Sequence, residues 1–265
     1  MKVVSIKQIA AGLLTGLLQR GDNKPDGGSS SFPPDFDALT IETIKAVRPF
    51  TMTQPEALFG LCDAVRYVVR GGIPGAIVEC GVWKGGSMMA VAHTLVQEGD
   101  RSRDLYLFDT YEGMAPPEEK DVSVTNYSAA VMGKKLIKNK DSQHVREGKW
   151  CYAPLEEVKS ALYGVGYDPA RMIFVKGRVE DTIPDRAPES IALLRLDTDW
   201  YQSTRHELVH LFPRLSDGAV LIVDDYGFWK GSREAVDEYF AENRISMLLS
   251  RIDAGGARMG IYRKP

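Results

Sequence analysis

The sequence predicts an α/β fold in which helices cover both faces of a mostly parallel sheet. Three stretches support this prediction, because residues 76–80, 193–204 and 221–229 each begin with or consist of an apolar run of strand length. Segments with a helical pattern follow each of them. Short apolar runs between helical segments are typical of parallel strands that are buried on both faces.

Two of these runs end in pairs of carboxylates, Asp197 with Asp199 and Asp224 with Asp225. Ligands of open α/β sheets bind at the carboxyl ends of the strands. An ionised aspartate is rarely buried unless it is paired or holds a metal. Capping of the following helix explains one aspartate at each strand end but not two, so these residues predict a metal and base site.

Composition excludes several classes of protein. The net charge of −3 and the pI near 5.9 give no reason to expect nucleic-acid binding. Cys62, Cys80 and Cys151 are too few and too scattered for a disulfide framework or a zinc cage, and they fit a reducing compartment. No apolar run reaches the ~18 residues of a membrane span. We therefore expect a cytoplasmic protein.

The first 20 residues, with two lysines and an apolar middle, raise the question of a signal peptide. Lys7 and Gln8 interrupt the apolar run, and no clear small-residue cleavage site follows. An amphipathic helix that packs on a partner subunit or near the active site is the better interpretation. Residues 21–36 are rich in Gly, Ser and Pro and predict a loop or a mobile arm.

Helix signals flank the candidate strands. Thr53 is predicted to cap a helix with Pro55 in its first turn, and Gly71 is predicted to end it. Ser203 or Thr204 is predicted to cap the helix that follows the first acidic pair.

The strand at Ala76–Cys80 runs into a glycine-rich turn, and Ser87 begins the next helix. Glycines allow the backbone to approach a ligand closely, as in nucleotide-type cofactor sites. The turn lacks the GxGxxG pattern and is preceded by Glu79. A carboxylate there suits a ligand with an amine or sulfonium cation and would repel a pyrophosphate. The turn therefore favours S-adenosylmethionine over NAD.

Two further acidic positions fit an adenosyl cofactor. Asp109 ends the next candidate strand, about 30 residues after Glu79, where acidic residues accept hydrogen bonds from ribose hydroxyls. Residues 178–182 are predicted to form a loop at the same edge, where Glu180 or Asp181 could bond the adenine amino group. The residues leave open which of the two does so.

Two segments depart from the alternation of strands and helices. Residues 115–149 are polar and lysine-rich without periodicity, which fits either an active-site lid or a disordered surface excursion. Residues 245–265 form two strand-like runs around Gly255 and Gly256, which predicts a terminal hairpin with one antiparallel strand at the sheet edge.

Five sequence blocks between about Thr51 and Phe240 resemble the macrocin-type sugar O-methyltransferases, a family that includes mycinamicin and novobiocin sugar methylation enzymes. The blocks occur in the same order and read ECGVWKGGS, FDTYEGM, VKGRVEDTIP, ALLRLDTDWYQSTRHELVHLFPRL and VLIVDDYGFWKGSREAVDEYF. The resemblance implies a Rossmann-like class I methyltransferase fold with a mostly parallel seven-stranded sheet, an antiparallel edge strand and helices on both faces. The match does not cover the first ~40 residues. Together with the sequence pattern, it gives a helical arm and linker at residues 1–50, a methyltransferase domain at 51–265, and a lid insertion at 115–150.

The same resemblance implies roles for individual residues. Members of the family use S-adenosylmethionine and Mg²⁺. The residues that match the magnesium ligands are Asp197, Asp224 and Asp225, and Asp199 matches the proposed general base of some members. Residues that match cofactor contacts are Glu79, Gly81, Ser87, Asp109 and Asp181, together with the segment at Thr51 and Met52.

These observations predict an enzyme that methylates a sugar hydroxyl of a glycosylated natural product or glycoconjugate. Mg²⁺ would lower the pKa of the hydroxyl, and Asp199 would take its proton during in-line attack on the methyl group. A homodimer is expected from the family and from the N-terminal helix. Three alternatives remain: a metal-dependent methyltransferase of phenols or catechols, a nucleotide-dependent oxidoreductase, and a non-catalytic scaffold. Glu79 and the missing GxGxxG argue against the second, and the intact acidic residues argue against the third.

Overall fold

The computed structural model describes residues 32–138 and 144–264 of the 265-residue chain. The amphipathic helix expected in the first 20 residues and most of the arm at 21–36 lie outside these ranges. None of the helices within the described ranges is long and apolar enough to cross a membrane.

The described chain alternates strands and helices. The helices are α1 (Ala38–Val47), α2 (Pro55–Arg70), α3 (Gly86–Glu98), α4 (Ala129–Lys138), α5 (Leu155–Tyr163), α6 (Val179–Thr182), α7 (Tyr201–Leu211) and α8 (Lys230–Glu242). The strands are β1 (Ala76–Cys80), β2 (Leu105–Asp109), β3 (Val145–Arg146), β4 (Lys149–Trp150), β5 (Met172–Lys176), β6 (Ile191–Leu196), β7 (Leu215–Val223), β8 (Ser250–Arg251) and β9 (Arg258–Ile261).

Seven strands form the main sheet in the order β5-β2-β1-β6-β7-β9-β8. The first five of these are parallel neighbours, whereas β9 runs antiparallel to both β7 and β8. The predicted sheet is confirmed, and so is the antiparallel strand near its edge. Strands β1 and β6 lie at the centre, so their carboxyl ends open into the middle of one sheet edge.

Helices pack on both faces, as predicted. Helix α2 shows why: Leu58, Leu61, Cys62, Val65 and Val68 are spaced three or four apart and are all buried in one apolar core with α1 and α3. Helices α7 and α8 bury their apolar residues in a second core on the opposite side of the sheet.

Several local predictions were wrong. Gln54, not Thr53, occupies the N-cap of α2, and the Thr53 hydroxyl is engaged elsewhere. Neither Ser203 nor Thr204 caps α7; that helix begins at Tyr201, whose N–H donates to a side chain far away in the sequence. The stretch expected to be a loop at 178–182 contains the short helix α6, because its acidic residues suit a helix N-terminus.

The insertion at residues 115–150 is structured where it is described. It contains α4 and the β3–β4 hairpin. Ala129 and Met132 of α4 are buried against Trp200 and Trp229, which follow the two acidic strand ends. The insertion therefore packs directly beside the acidic residues and is not a detached surface excursion.

Candidate active site

The two acidic pairs meet at one edge of the sheet. Asp197 and Asp224 directly follow β6 and β7, which are parallel neighbours with Leu196 opposite Val223. One carboxylate oxygen from each of Asp197, Asp199 and Asp225 lies within 4.8 Å of the other two. Among the described residues, this is the group of acidic, histidine and cysteine side chains that converges at the spacing of metal ligands.

The turn after β6 is held in an unusual conformation. Asp199 has φ +67°, a left-handed backbone that side-chain-bearing residues seldom adopt and that is often found at functional sites. Its backbone N–H donates to Asp225 Oδ2 at 3.1 Å, and its Oδ1 accepts from the indole N–H of Trp229 at 3.0 Å. The turn is therefore joined to the loop after β7 through both backbone and side chain.

A buried arginine lies at the centre of the acidic residues. Arg195 Nη1 donates to Glu79 Oε1 and to Asp197 Oδ2, both at 2.6 Å. Its Nη2 donates to Asp224 Oδ1 at 2.7 Å and to the Thr53 hydroxyl at 3.0 Å. One guanidinium thus connects the strand before the glycine turn, the two acidic strand ends and the segment before α2.

Arg195 was not predicted as a site residue, although the sequence carried a signal for it. The residue is charged but sits inside the apolar run of β6, two positions before Asp197, and so on the same side of the strand. A charge in a fully buried strand needs a partner of opposite sign. Glu79, directly opposite in β1, is that partner.

Burial of the carboxylates strongly perturbs their protonation. Burial, followed by repulsion from neighbouring carboxylates, raises the pKa of Asp197 and of Asp225 well above the usual range, although Arg195 opposes the shift at Asp197. The pKa of Asp199 rises to about 7, mainly because of burial. A cation among these oxygens would favour their ionised forms, and carboxylate oxygens are the ligands that Mg²⁺ prefers. The donor set therefore fits Mg²⁺.

The glycine turn adjoins the same acidic residues. Gly81 has φ +87°, and a Cβ there would lie 2.0 Å from the backbone oxygen of Asp197. Only glycine fits this close approach of the turns after β1 and β6. Gly81 also lines a pocket. The other predicted cofactor residues in the wall of this pocket are Thr51, Met52 and Ser87. The four aspartates Asp197, Asp199, Asp224 and Asp225 line it as well.

Glu79 is fully buried beside this pocket. Burial raises its pKa to about 7, although Arg195 favours the charged form. Its Oε1 accepts from Arg195, whereas Oε2 is buried without a hydrogen-bond partner among the described residues. Buried polar atoms are normally satisfied. An unsatisfied carboxylate oxygen fits a ligand that carries an ammonium group. The Glu79 side chain does not line the pocket, so its predicted contact with the cofactor stays a prediction.

Asp109 organises the glycine turn. Its Oδ2 accepts from the N–H groups of Val82 at 2.7 Å and Trp83 at 2.9 Å, and its Oδ1 accepts from Tyr111 N–H at 2.6 Å. The donors at Val82 and Trp83 fix the path of the chain between β1 and α3, and the donor at Tyr111 fixes the turn after β2. The predicted contact of Asp109 with a ribose stays a prediction.

The two candidates for adenine recognition differ in position. Glu180 lines a second pocket together with Gly81, Thr110 and Gly177, whereas Asp181 is exposed and does not belong to that wall. Glu180 also pairs with Arg178 at 3.2 Å. The geometry favours Glu180 over Asp181, and a role for Asp181 stays a prediction.

Comparison with known proteins gives a consistent result. A family model described as macrocin O-methyltransferase (TylF) matches residues 45–264. The 8-demethyl-8-(2,3-dimethoxy-alpha-L-rhamnosyl)-tetracenomycin-C 4'-O-methyltransferase of Streptomyces olivaceus is 34% identical over 223 residues, which are 84% of this chain and 80% of that enzyme. The demethyldecarbamoylnovobiocin O-methyltransferase of Streptomyces niveus is 30% identical over 206 residues, 78% of this chain and 73% of that enzyme.

A solved structure, that of the O-methyltransferase NovP, superposes with a TM-score of 0.67 at 28% identity and covers 81% of this chain and 83% of NovP. The family match spans most of the chain, and the relatives align over about four-fifths of it. The chain therefore belongs to the macrocin O-methyltransferase family and is an S-adenosylmethionine-dependent O-methyltransferase with a class I fold.

Proposed function

We propose that this enzyme methylates a sugar hydroxyl of a glycosylated natural product and that it requires Mg²⁺. The observation that carries the metal proposal is the convergence of Asp197, Asp199 and Asp225 in the pocket that Gly81 also lines. Support for a sugar acceptor comes from the relatives, one of which is named for methylation of a rhamnosyl-tetracenomycin and another as a mycinamicin III 3''-O-methyltransferase.

The proposed metal ligands are Asp197, Asp224 and Asp225, as the family resemblance implies. The converging group contains Asp199 in place of Asp224, which lines the same pocket. Asp224 Oδ1 accepts from Arg195, so this residue would bind the metal through its other oxygen. Arg195 also compensates part of the negative charge, because it bonds Asp197 and Asp224 at once. The carboxylates would thus be held in place before a cation arrives.

Asp199 is the proposed general base. S-Adenosylmethionine supplies the methyl group on a sulfonium, and Mg²⁺ supplies a Lewis acid that makes a hydroxyl more acidic. Asp199 would receive the proton that the acceptor hydroxyl loses as its oxygen bonds to the methyl carbon. The bond between the methyl carbon and the sulfonium sulfur would break at the same time, with S-adenosylhomocysteine as the leaving group. Glu79 would hold the cationic end of the cofactor, and the turn at Gly81 would let the cofactor approach the aspartates. A positioned base contributes roughly 10²–10⁴-fold to such a reaction.

The insertion at 115–150 is the proposed determinant of acceptor choice. Cys151, directly after its hairpin, lines the pocket together with Met114, Trp83 and Phe50. These apolar side chains line the same pocket as the carboxylates, and they would suit the less polar part of a glycoside. Homodimer formation and a cytoplasmic location stay predictions.

The first test is isothermal titration of S-adenosylmethionine and then Mg²⁺ into metal-stripped parent protein and into an Asp224→Ala/Asp225→Ala variant. Cofactor binding to both proteins with metal binding only to the parent supports the proposal. Failure of the parent to bind Mg²⁺ overturns the metal requirement. Failure to bind the cofactor overturns the roles of Glu79 and Gly81.

The base and the acceptor need separate measurements. Asp199→Asn should bind Mg²⁺ like the parent and keep a measurable turnover that is lower by roughly 10²–10⁴-fold. Loss of metal binding would instead make Asp199 a ligand, and normal turnover would exclude it as the base. Screening glycosides against catechols then tests the acceptor, since activity restricted to catechols would overturn the sugar proposal.

A further inference from the structure

A buried tryptophan contacts the proposed base. The indole N–H of Trp229 donates to Asp199 Oδ1 at 3.0 Å. Trp229 is 3% exposed and does not belong to the pocket wall, so its ring cannot serve as a stacking surface for the acceptor. The hydrogen bond that joins this side chain to the proposed reaction is the one to Asp199.

The position of Trp229 is fixed from three directions. Its ring packs edge-on against Trp200 at 5.1 Å and against Phe228 at 4.9 Å between ring centroids. Its backbone N–H donates to Asp225 O at 2.9 Å. Its backbone also forms an antiparallel bridge with Ser123 of the insertion.

The insertion extends this bridge on both sides. Val124 N–H donates to Phe228 O, and Lys230 N–H donates to Val122 O, each at 2.8 Å. The segment 122–124 therefore acts as a short strand that holds the loop after β7. A rigid indole on such a support presents its N–H in one direction only, and functional side chains need this kind of fixed support to keep their geometry.

From these contacts we infer that Trp229 is a positioning residue for Asp199 and that the insertion acts on the reaction through it. Asp199 has a strained backbone and a carboxylate that can rotate about its last torsion. The indole N–H holds one of the carboxylate oxygens and so restricts rotation of the carboxylate plane. This inference rests on the proposed role of Asp199 as the base.

The test is a double-mutant cycle of Trp229→Phe and Asp199→Asn in the full-length enzyme with cofactor and Mg²⁺. Phenylalanine keeps most of the apolar packing and removes the N–H. We expect Trp229→Phe to lower kcat by about 10–100-fold with the acceptor KM changed less than about threefold, because an orientation effect acts in the transition state. In the Asp199→Asn background the same substitution should lower kcat by less than about twofold, because coupled residues are not additive.

Trp150→Phe is the matched control for packing. Trp150 packs against Trp200 at 5.8 Å in the same aromatic cluster, so its substitution perturbs the packing without removing the N–H that Asp199 accepts. The factor by which Trp150→Phe changes kcat should be the same in the parent and in the Asp199→Asn background.

The outcomes separate the two proposals. Titration of S-adenosylmethionine and Mg²⁺ into Trp229→Phe should give parent-like affinities, which shows that the variant is folded and that the pocket is intact. Parent-like kcat of Trp229→Phe beside an inactive Asp199→Asn overturns the positioning role alone. Additive effects of the two substitutions also overturn it. Near-parent turnover of Asp199→Asn overturns the base and the positioning role together.

Discussion

Arg195 and Glu79 lie directly opposite each other on adjacent parallel strands and form an ion pair of 2.6 Å in the protein interior. The same guanidinium bonds Asp197 and Asp224. One buried cation therefore bonds Glu79, which precedes the glycine turn, and two of the proposed metal ligands. The proposed cofactor and metal sites thus share one structural support.

Removal of this cation should strongly destabilise the protein. Arg195→Met leaves three carboxylates without their common partner, and loss of one member of a buried ion pair costs about 3–5 kcal/mol. We expect a decrease of that size in the free energy of unfolding, measured by urea denaturation at neutral pH without added metal.

Arg70→Met provides the control for this prediction. Arg70 pairs with Glu98 at 2.7 Å, but its side chain is 67% exposed, so solvent screens the interaction. Its loss should change stability far less. Equal effects of the two substitutions would mean that the buried network contributes no more than a surface pair.

The sequence was sufficient to predict the acidic edge of the site. Asp197 and Asp224 end apolar runs, and the rule that parallel strands end at one edge brings them together without any knowledge of the loops. The turn at Gly81 was predictable for the same reason, because it follows β1 directly. These residues are positioned by the sheet, whose period and direction are visible in the sequence.

The contacts that support this edge were not predictable. Trp229 reaches Asp199 from 30 residues away, and Thr53 reaches Arg195 from 142 residues away. Such contacts depend on loop paths and side-chain rotamers, which leave no periodic pattern. Thr53 was mistaken for a helix cap because threonine before a helical segment usually caps it, and tertiary bonding to Arg195 overrides this local preference.

A methyl group at Gly81 should disrupt the site. In Gly81→Ala the Cβ would lie 2.0 Å from Asp197 O on a backbone with φ +87°, so the turns after β1 and β6 must separate. We expect the free energy of unfolding to fall by more than the ~1–2 kcal/mol that an alanine with a left-handed backbone costs. We also expect S-adenosylmethionine to bind at least about tenfold more weakly, measured by isothermal titration.

Gly99→Ala isolates the backbone cost in that comparison. Gly99 also has a left-handed backbone, φ +78°, but nothing lies within 4 Å of the position of its Cβ. This variant should lose about 1–2 kcal/mol of stability and keep its cofactor affinity. Parent-like cofactor binding by Gly81→Ala would contradict the close approach of the two turns.

Glu207 should make stability depend on pH. It is fully buried on α7, its Oε1 accepts from the Thr198 hydroxyl at 2.9 Å, and its Oε2 has no hydrogen-bond partner among the described residues. Burial raises its pKa well above 4.5 in the folded state. As pH rises, Glu207 therefore ionises in the unfolded chain at a lower pH than in the folded protein. This group makes the parent lose stability as pH rises above about 4.5, by at most about 1.4 kcal/mol per pH unit.

Glu207→Gln removes this titration while keeping the shape of the side chain. We expect the stability of the parent relative to the variant to fall as pH rises from about 4.5, in urea titrations at several pH values. A difference between the two proteins that is constant with pH would show that Glu207 has the same pKa in the folded and unfolded states.

Asp121 joins the insertion to the helix after the proposed base. Its Oδ1 accepts from Tyr201 N–H at 2.9 Å at the start of α7, and its Oδ2 accepts from Glu118 N–H at 2.7 Å. Loss of a helix cap costs about 0.5–2 kcal/mol, so Asp121→Ala should lower stability by that amount. Because Tyr201 follows Asp199 by two residues, we also expect a lower kcat, measured by steady-state kinetics.

Asp37→Ala is the control for this prediction. It removes the corresponding cap of α1, where Asp37 accepts from Thr40 N–H at 3.0 Å, and should lower stability without this loss of turnover. Equal kcat for the two variants would show that the cap supplied by the insertion stabilises α7 without positioning the turn that carries Asp199.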